Sequence, residues 1–174
     1  MNKKIWLYIL IVSVLFFLPT YKIIVSSDTL KGGTEYMFKV QAFDPYDMFR
    51  GNYINISFEE QWVEDCNAAE GMYGEKCYVT IATKEDGYAY FSGISFEKPE
   101  HTADYYQTTA YYYDASYRID TPNRYYMNEN KSYHAEKIYG ENIDNTYVKV
   151  RIKNGKMVIV GVYVNGILID TIES

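Results

Sequence analysis

Four carboxylates stand in the two stretches of sequence where side-chain chemistry could be concentrated. Asp44 and Asp47 lie in "FDPYDMFRGNY", and Glu129 and Glu136 lie in "RYYMNENKSYHAEKIY". Two carboxylates held a few ångströms apart can act as general acid and general base, as in glycoside hydrolysis. Spacing along the sequence does not set that separation, so this chemistry requires the fold to bring carboxylates together.

Other signs of catalysis are sparse in the sequence. The two histidines, His101 and His134, lie in polar stretches and are expected at the solvated surface. No Gly-x-Ser-x-Gly, His-Glu-x-x-His, phosphate-binding loop or Cys-x-x-Cys motif occurs. We therefore expect no enzyme, no catalytic residue, no cofactor and no metal site. A carboxylate-dependent hydrolase is the less favoured alternative.

The first stretch also has a purely structural explanation. Asp44 and Pro45 suit the first two positions of a type I turn, because the carboxylate accepts a backbone N–H and the ring presets φ. Gly51 can adopt the left-handed conformation that returns the chain to a strand at Tyr53. Arg50 is near enough in sequence to bond either aspartate of the turn. A binding role for the same turn is the alternative.

The same stretch resembles the GDYXXLXY proteins, whose name motif follows an Asp-Pro-x-Asp-x-x-Arg segment. "DPYDMFR" matches that segment, and "GNYINISF" stands in place of the name motif. Gly51 and Tyr53 are kept, whereas Asn52 replaces the aspartate, Ile56 the leucine and Phe58 the final tyrosine. Asn52 cannot supply the charge that an acid, base or metal ligand at this position would need.

A second block is similar to the family's aromatic-x-x-Glu stretch with a later Glu, which would be Tyr126, Glu129 and Glu136. The resemblance implies a small exported or membrane-anchored bacterial protein of unknown biochemical activity, often encoded beside a multi-pass membrane protein. The candidate motif or binding residues are Asp44, Pro45, Asp47, Arg50, Gly51, Asn52, Tyr53, Tyr126, Glu129 and Glu136.

We expect the turn of residues 44–53 and the segment around 126–136 to meet in space. An arginine beside an apolar strand start must reach water or be paired, and a partly desolvated guanidinium is stabilised by a carboxylate. Arg50 is therefore expected to bond Asp44, Asp47 or Glu129.

An apolar segment near the amino end is expected to anchor the chain in a membrane. Lys3 and Lys4 precede an apolar run, 5–18, that is broken only by Ser13, and a second apolar patch follows at 23–25. The whole stretch is about 21 residues, enough to cross a bilayer. The basic flank favours a cytoplasmic amino terminus, because cytoplasmic flanks are enriched in basic residues.

This interpretation divides the chain into a signal-anchor (1–25), a polar, glycine-bearing spacer (26–33) and an extracytoplasmic GDYXXLXY-like β domain (34–174). The expected location is the cell membrane, with a single pass. A cleaved signal peptide is the competing interpretation, since Val25 and Ser27 are small enough for a cleavage site.

The exported part is acidic. After residue 25 the chain keeps 14 of its 17 basic residues against 23 acidic ones, a net charge of about −9. Phosphate binding needs a basic surface, so nucleic acid is excluded as a partner.

The two cysteines, Cys66 and Cys77, both lie in the exported part, where oxidation is permitted. A bridge between them would contribute up to about 3 kcal/mol. Two free buried thiols are the alternative. A metal site is less favoured, because no histidine is near and two thiolates do not complete a zinc site.

Period-two alternation predicts a mainly β (α+β) fold. Asn154-Gly155 and Asn165-Gly166 supply the positive φ of type I′ hairpins and predict a three-stranded antiparallel meander at the carboxyl end. Asp86-Gly87 predicts a further hairpin. The prediction is a transmembrane helix followed by one antiparallel β domain with one or two short helices, in 59–74 and in 128–140.

The run "YYYDASYRID" (111–120) alternates throughout and is predicted as one long strand. On that reading Tyr111, Tyr113 and Tyr117 share a buried face with Ile119. Tyr105, Tyr106 and Tyr112 remain as exposed aromatic rings that could stack on sugars.

Three function classes follow from these observations. The favoured one is an extracytoplasmic accessory domain of unknown activity that works with a multi-pass membrane protein. The alternatives are a module that binds cell-envelope glycan or peptidoglycan and, less favoured, the hydrolase.

Overall fold

A computed structural model describes most of the chain, namely residues 3–41, 53–64, 73–100, 102, 104–113 and 116–172. Helix α1 comes first and is followed by strands. The elements are α1 Lys3–Gly32, β1 Thr34–Gln41, β2 Tyr53–Asn55, β3 Ser57–Phe58, β4 Trp62–Glu64, β5 Tyr73–Thr83, β6 Ala89–Ser95, β7 Tyr105–Tyr113, β8 Ser116–Ile119, β9 Arg124–Tyr126, α2 Glu129–Glu141, β10 Thr146–Lys153, β11 Lys156–Val164 and β12 Ile167–Leu168. Short 3₁₀ helices cover Ile143–Asn145 and Ile169–Thr171.

The strands form two five-stranded antiparallel sheets and one two-stranded ladder. The first sheet has the order β12-β11-β10-β1-β3, the second the order β4-β8-β7-β5-β6, and β2 pairs with β9. The prediction of a mainly β, antiparallel fold with a carboxyl-terminal meander is therefore confirmed.

The hairpins predicted from Asn-Gly and Asp-Gly are present. Asn154 and Gly155 have φ of 49° and 78°, and Asn165 and Gly166 have φ of 52° and 80°, the positive pair that a type I′ turn requires. Gly87, with φ of 85°, lies in the connection between β5 and β6.

The predicted single strand over 111–120 is wrong. Tyr113 pairs with Ser116 and Tyr112 with Tyr117, so the chain reverses between β7 and β8. Because of this pairing, even-numbered residues of β7 share a face with odd-numbered residues of β8. Tyr112 therefore lies beside the buried Tyr117, with ring centroids 5.1 Å apart. Tyr113 is instead exposed.

The two predicted helical segments differ in outcome. The one in 128–140 is confirmed as α2, which ends at Glu141. In 59–74, Trp62–Glu64 is a strand that pairs with β8, so the helix is wrong there, and 65–72 lie outside the described residues.

The sheets share one hydrophobic core. Phe38 and Phe58 of the first sheet contact Phe91 of the second, with ring centroids 5.2 Å and 6.5 Å apart. Burial follows the alternation along each strand, as in β10, where every second residue is buried.

Helix α1 is 30 residues long and continues through Pro19. It is long and apolar enough to cross a membrane, and its apolar window is not buried against the rest of the protein. The polar stretch 26–33, predicted as a spacer, is helical as far as Gly32.

Candidate functional site

The β2–β9 ladder joins the two sequence blocks that carry the motif residues. Tyr53 lies opposite Tyr126, and Asn55 lies opposite Arg124. The two tyrosine rings are tilted by 58°, with centroids 5.5 Å apart. The Arg124 guanidinium lies 5.0 Å from the centre of the Tyr53 ring, within the range of a cation–π contact.

The pleat of this short ladder separates a surface face from an inner face. Tyr126 is 65% exposed and Tyr53 is half-buried, whereas Ile54 between the surface residues is fully buried. Successive side chains of a strand point to opposite faces, so burying Ile54 turns both tyrosines outward. The result is an aromatic surface with an arginine beside it, which we call the tyrosine ladder (Tyr53, Arg124 and Tyr126).

Tyr125, on the other face of β9, fastens the carboxyl-terminal region. Its hydroxyl donates a hydrogen bond to Asp170 Oδ2, and Lys131 Nζ donates one of 2.7 Å to the Asp170 backbone oxygen. Burial, followed by the neighbouring carboxylate, raises the pKa of Tyr125. Tyr125 therefore remains protonated at neutral pH, and its part in this arrangement is to hold β9, α2 and the last 3₁₀ helix together.

An open groove of about 530 Å³ lies beside the tyrosine ladder and is lined by Tyr126, Met127, Asn128, Lys131 and Asp170. Among its described side chains, Asp170 is the one carboxylate, and it already accepts the Tyr125 hydrogen bond. The described part of the groove offers an aromatic ring and hydrogen-bonding groups.

A family model described as "GDYXXLXY protein" matches residues 15–162, from within α1 to within β11. The chain belongs to the GDYXXLXY family. The resemblance drawn from the two sequence blocks is thereby confirmed. Neither the comparison with curated proteins nor that with solved structures gave a match.

Six of the ten motif residues of this GDYXXLXY protein precede strand β2. Asp44, Pro45, Asp47, Arg50, Gly51 and Asn52 lie outside the described residues, so the pairing of Arg50 stays a prediction. Glu129 begins α2 and Glu136 lies within it, but their side chains are also outside the description. Tyr53 and Tyr126 are the members whose contact is seen.

Sequence reasoning missed three residues around the site. Arg124 stood within the second block, where an arginine next to aromatic residues is a usable signal. Lys131 and Asp170 carried no signal, because their contact joins α2 to a residue close to the carboxyl end.

The predicted sugar-stacking tyrosines are not an exposed group. Tyr105 is buried, which contradicts the prediction, while Tyr106 and Tyr112 are half-buried and pack on the core. Among the described residues, Tyr126 and Tyr113 are the strongly exposed tyrosines of the β domain.

Cys77 is fully buried in β5. Burial raises the pKa of its thiol to about 11, against the smaller opposing effect of a hydrogen bond to the Thr108 backbone. Cys66 lies outside the described residues, so the disulfide stays a prediction. Within the described ranges, no group of three or more His, Cys, Asp or Glu side chains is arranged to hold a metal.

Proposed function

We propose that this GDYXXLXY protein is a single-pass, membrane-anchored accessory domain that lies outside the cytoplasm and binds a multi-pass membrane protein. It performs no catalysis of its own. The observation that carries the proposal is helix α1, whose apolar window is not buried and whose last residue, Gly32, lies two residues before the first strand of the domain.

The end of α1 is fastened to the first sheet. Lys153 Nζ donates a 2.8 Å hydrogen bond to Asp28 Oδ1, and Arg151 donates to the Leu30 backbone oxygen. Thr29 is buried at this junction, and the Gly33 N–H donates a 2.9 Å bond to the Thr29 oxygen. A helix held in this way orients the domain relative to the bilayer, which favours a partner in the same membrane.

The tyrosine ladder supplies the surface on which such a partner would dock. Tyrosine and arginine are enriched among the residues that dominate binding energy at protein interfaces. The ladder combines two tyrosines with Arg124, and Tyr126 and Arg124 are both exposed.

Membrane topology is the first test. Protease added to intact spheroplasts should digest the domain, because the proposed orientation places it outside. Alkaline carbonate should leave the full chain in the membrane pellet. A mature protein that is soluble and begins near Asp28 would contradict the anchor.

Cross-linking is the second test. A photo-cross-linking amino acid at position 126, in native membranes, should capture a multi-pass protein. The same probe at position 113 is the matched control, since Tyr113 is 68% exposed and lies at the end of β7, outside the tyrosine ladder. Equal capture from both positions would argue against a specific docking surface.

A glycan-binding module is the second candidate, favoured by the exposed Tyr126 ring beside a groove with hydrogen-bonding groups. Retention on isolated peptidoglycan, lost in Tyr126→Ala and kept in Tyr113→Ala, would support it. Turnover of a small substrate by the pure protein, lost on changing Asp47 or Glu129, would favour the hydrolase instead.

A further inference from the structure

We infer that the turn between β10 and β11 lies against the outer leaflet, where Lys31 and Lys156 contact the headgroups of anionic lipids. We call these two residues the basic rim. The inference rests on the proposed anchor and adds which side of the domain faces the bilayer and which lipids it favours.

The first step is the position of the bilayer along α1. The apolar sequence ends at Val25, and Tyr21 and Lys22 just before it are residue types that settle at the membrane interface. A helix rises 1.5 Å per residue, so Asp28 and Lys31 lie about 5 Å and 9 Å beyond Val25. The headgroup layer is about 5 to 8 Å thick on each side, so these residues are at or just above it.

The second step is the contact between helix and sheet. Asp28 accepts a hydrogen bond from Lys153, the last residue of β10. The Leu30 backbone oxygen accepts one from Arg151, two residues earlier in β10. The Asn154-Gly155 turn follows directly, and Lys156 opens β11. The turn therefore lies level with the last turns of α1, next to the headgroups.

The third step is charge. Residues after 25 carry a net charge of about −9. At this end of the domain five basic residues, Lys31, Lys149, Arg151, Lys153 and Lys156, lie with the three carboxylates Asp28, Glu35 and Asp104, and Asp28 is paired with Lys153. Glu35 is paired with Lys149 and Arg151, at 3.4 Å and 3.3 Å. Lys31 and Lys156 are exposed to solvent. Each lysine close to an anionic membrane surface strengthens binding to that surface about fivefold. The exposed lysines therefore complement a lipid layer with negatively charged headgroups.

The chain carries its own control for the geometry. Asn165-Gly166 has the same residues and the same positive φ values as Asn154-Gly155, but it lies at the other end of β11. Nine residues of strand separate the two turns by about 30 Å. A probe at either asparagine meets the same backbone constraint. The two positions differ in distance from the end of α1 and in one side-chain hydrogen bond of 3.2 Å, which Asn165 Nδ2 donates to Asn142 Oδ1.

The experiment uses the full chain in nanodiscs with a genetically encoded fluorescent amino acid at position 154 or 165. The nanodiscs contain phosphatidylcholine, with or without phosphatidylglycerol, and a lipid spin-labelled on its headgroup. We expect quenching several-fold stronger at 154 than at 165, and stronger at 154 when phosphatidylglycerol is present. Equal quenching at 154 and 165 would overturn the geometry.

Three single variants test the charges. Lys31→Gln and Lys156→Gln should weaken the response to phosphatidylglycerol at position 154, whereas Lys137→Gln, an exposed lysine on α2, should not. Equal quenching at 154 with and without phosphatidylglycerol would overturn the lipid preference.

The same samples separate this inference from the anchor. Elution of the chain with the nanodiscs in size-exclusion chromatography reports anchoring by α1, whatever the quenching shows. A chain that elutes with nanodiscs but shows no preference for position 154 would retain the anchor and refute the basic rim.

Discussion

Tyr53 and Tyr126 face each other across the β2–β9 ladder, with ring centroids 5.5 Å apart. Each comes from a different sequence block of the family, so the ladder joins the two blocks into one surface. Because Arg124 stacks on Tyr53 and Tyr126 remains exposed, this surface has the composition of an interface more than that of a core.

We expect Tyr126→Ala to weaken capture of the membrane partner about tenfold, because tyrosine is enriched among the few interface residues whose truncation costs more than about 1 kcal/mol. The free energy of unfolding of this variant should differ little from that of the wild type, since the Tyr126 side chain is 65% exposed. Tyr113→Ala, with a similarly exposed ring, is the control. Co-purification from detergent-solubilised membranes measures the effect. Unchanged capture by Tyr126→Ala would remove the ladder from the interface.

Tyr139→Phe is expected to leave the protein equally stable or to stabilise it by about 1 kcal/mol. Tyr139 is 1% exposed, and among the described residues its hydroxyl has no hydrogen-bond partner, so removing that hydroxyl relieves an uncompensated desolvation cost. Tyr125→Phe should instead destabilise, because it removes the bond to Asp170. Urea melts of both variants at pH 7 measure the contrast. A large loss in Tyr139→Phe would mean that its hydroxyl is bonded.

The same residue predicts a pH dependence. Burial raises the pKa of Tyr139 from 10.0 to about 12. The unfolded chain therefore loses this proton first, so ionisation of Tyr139 leaves the free energy of unfolding unchanged below pH 10 and lowers it as pH rises from 10 towards 12. In melts across this range, the free energy of unfolding should fall more steeply with pH in the wild type than in Tyr139→Phe. Parallel pH profiles would show that Tyr139 does not contribute.

Gly33→Ala should destabilise the junction between α1 and the domain by about 1 to 3 kcal/mol. A Cβ at Gly33 would lie 2.6 Å from the Thr29 oxygen and 2.9 Å from the Ile152 oxygen, and neither backbone atom can move freely. Gly32→Ala is the control, since its Cβ would meet only the Lys153 side chain, at 3.1 Å from Nζ, which can turn aside. Denaturant melts of the full chain in detergent compare them. Equal stability of the two variants would refute the tight junction.

A disulfide between Cys66 and Cys77 is expected in protein from oxidising conditions. Mass spectrometry of non-reduced peptides is the direct test. If Cys77 is reduced, burial and a pKa of about 11 will protect it from alkylation in the folded state, so the protein must be denatured before labelling. Two alkylated thiols after denaturation would refute the bridge.

Local chemistry explains what the sequence predicted correctly. Asn154-Gly155 and Asn165-Gly166 adopt positive φ because these residue types tolerate it, and a type I′ turn then sets the pairing of the adjoining strands. The apolar length of α1 and the period-two burial of β10 are likewise visible within a few residues. None of these features depends on a distant contact.

The β7–β8 hairpin marks the limit of such reasoning. Apolar and polar residues alternate through "YYYDASYRID", and this stretch contains no glycine or proline that would indicate a chain reversal. Only the pairing of Tyr113 with Ser116 reveals the turn and moves Tyr112 to the face of Tyr117.

By itself, the sequence determined the family, the apolar helix, the antiparallel class and the meander, since each is encoded in composition, motif or short-range backbone preference. Tertiary structure decided that Tyr53 meets Tyr126, that Tyr125 bonds Asp170, and that the end of α1 is fastened to β10. These contacts join residues far apart in the chain. Their closure entropy is repaid only when the whole core packs, so local patterns do not specify these residue pairs. The sequence did predict that the segments at 44–53 and 126–136 meet, and the pairing of Tyr53 with Tyr126 brings those segments together.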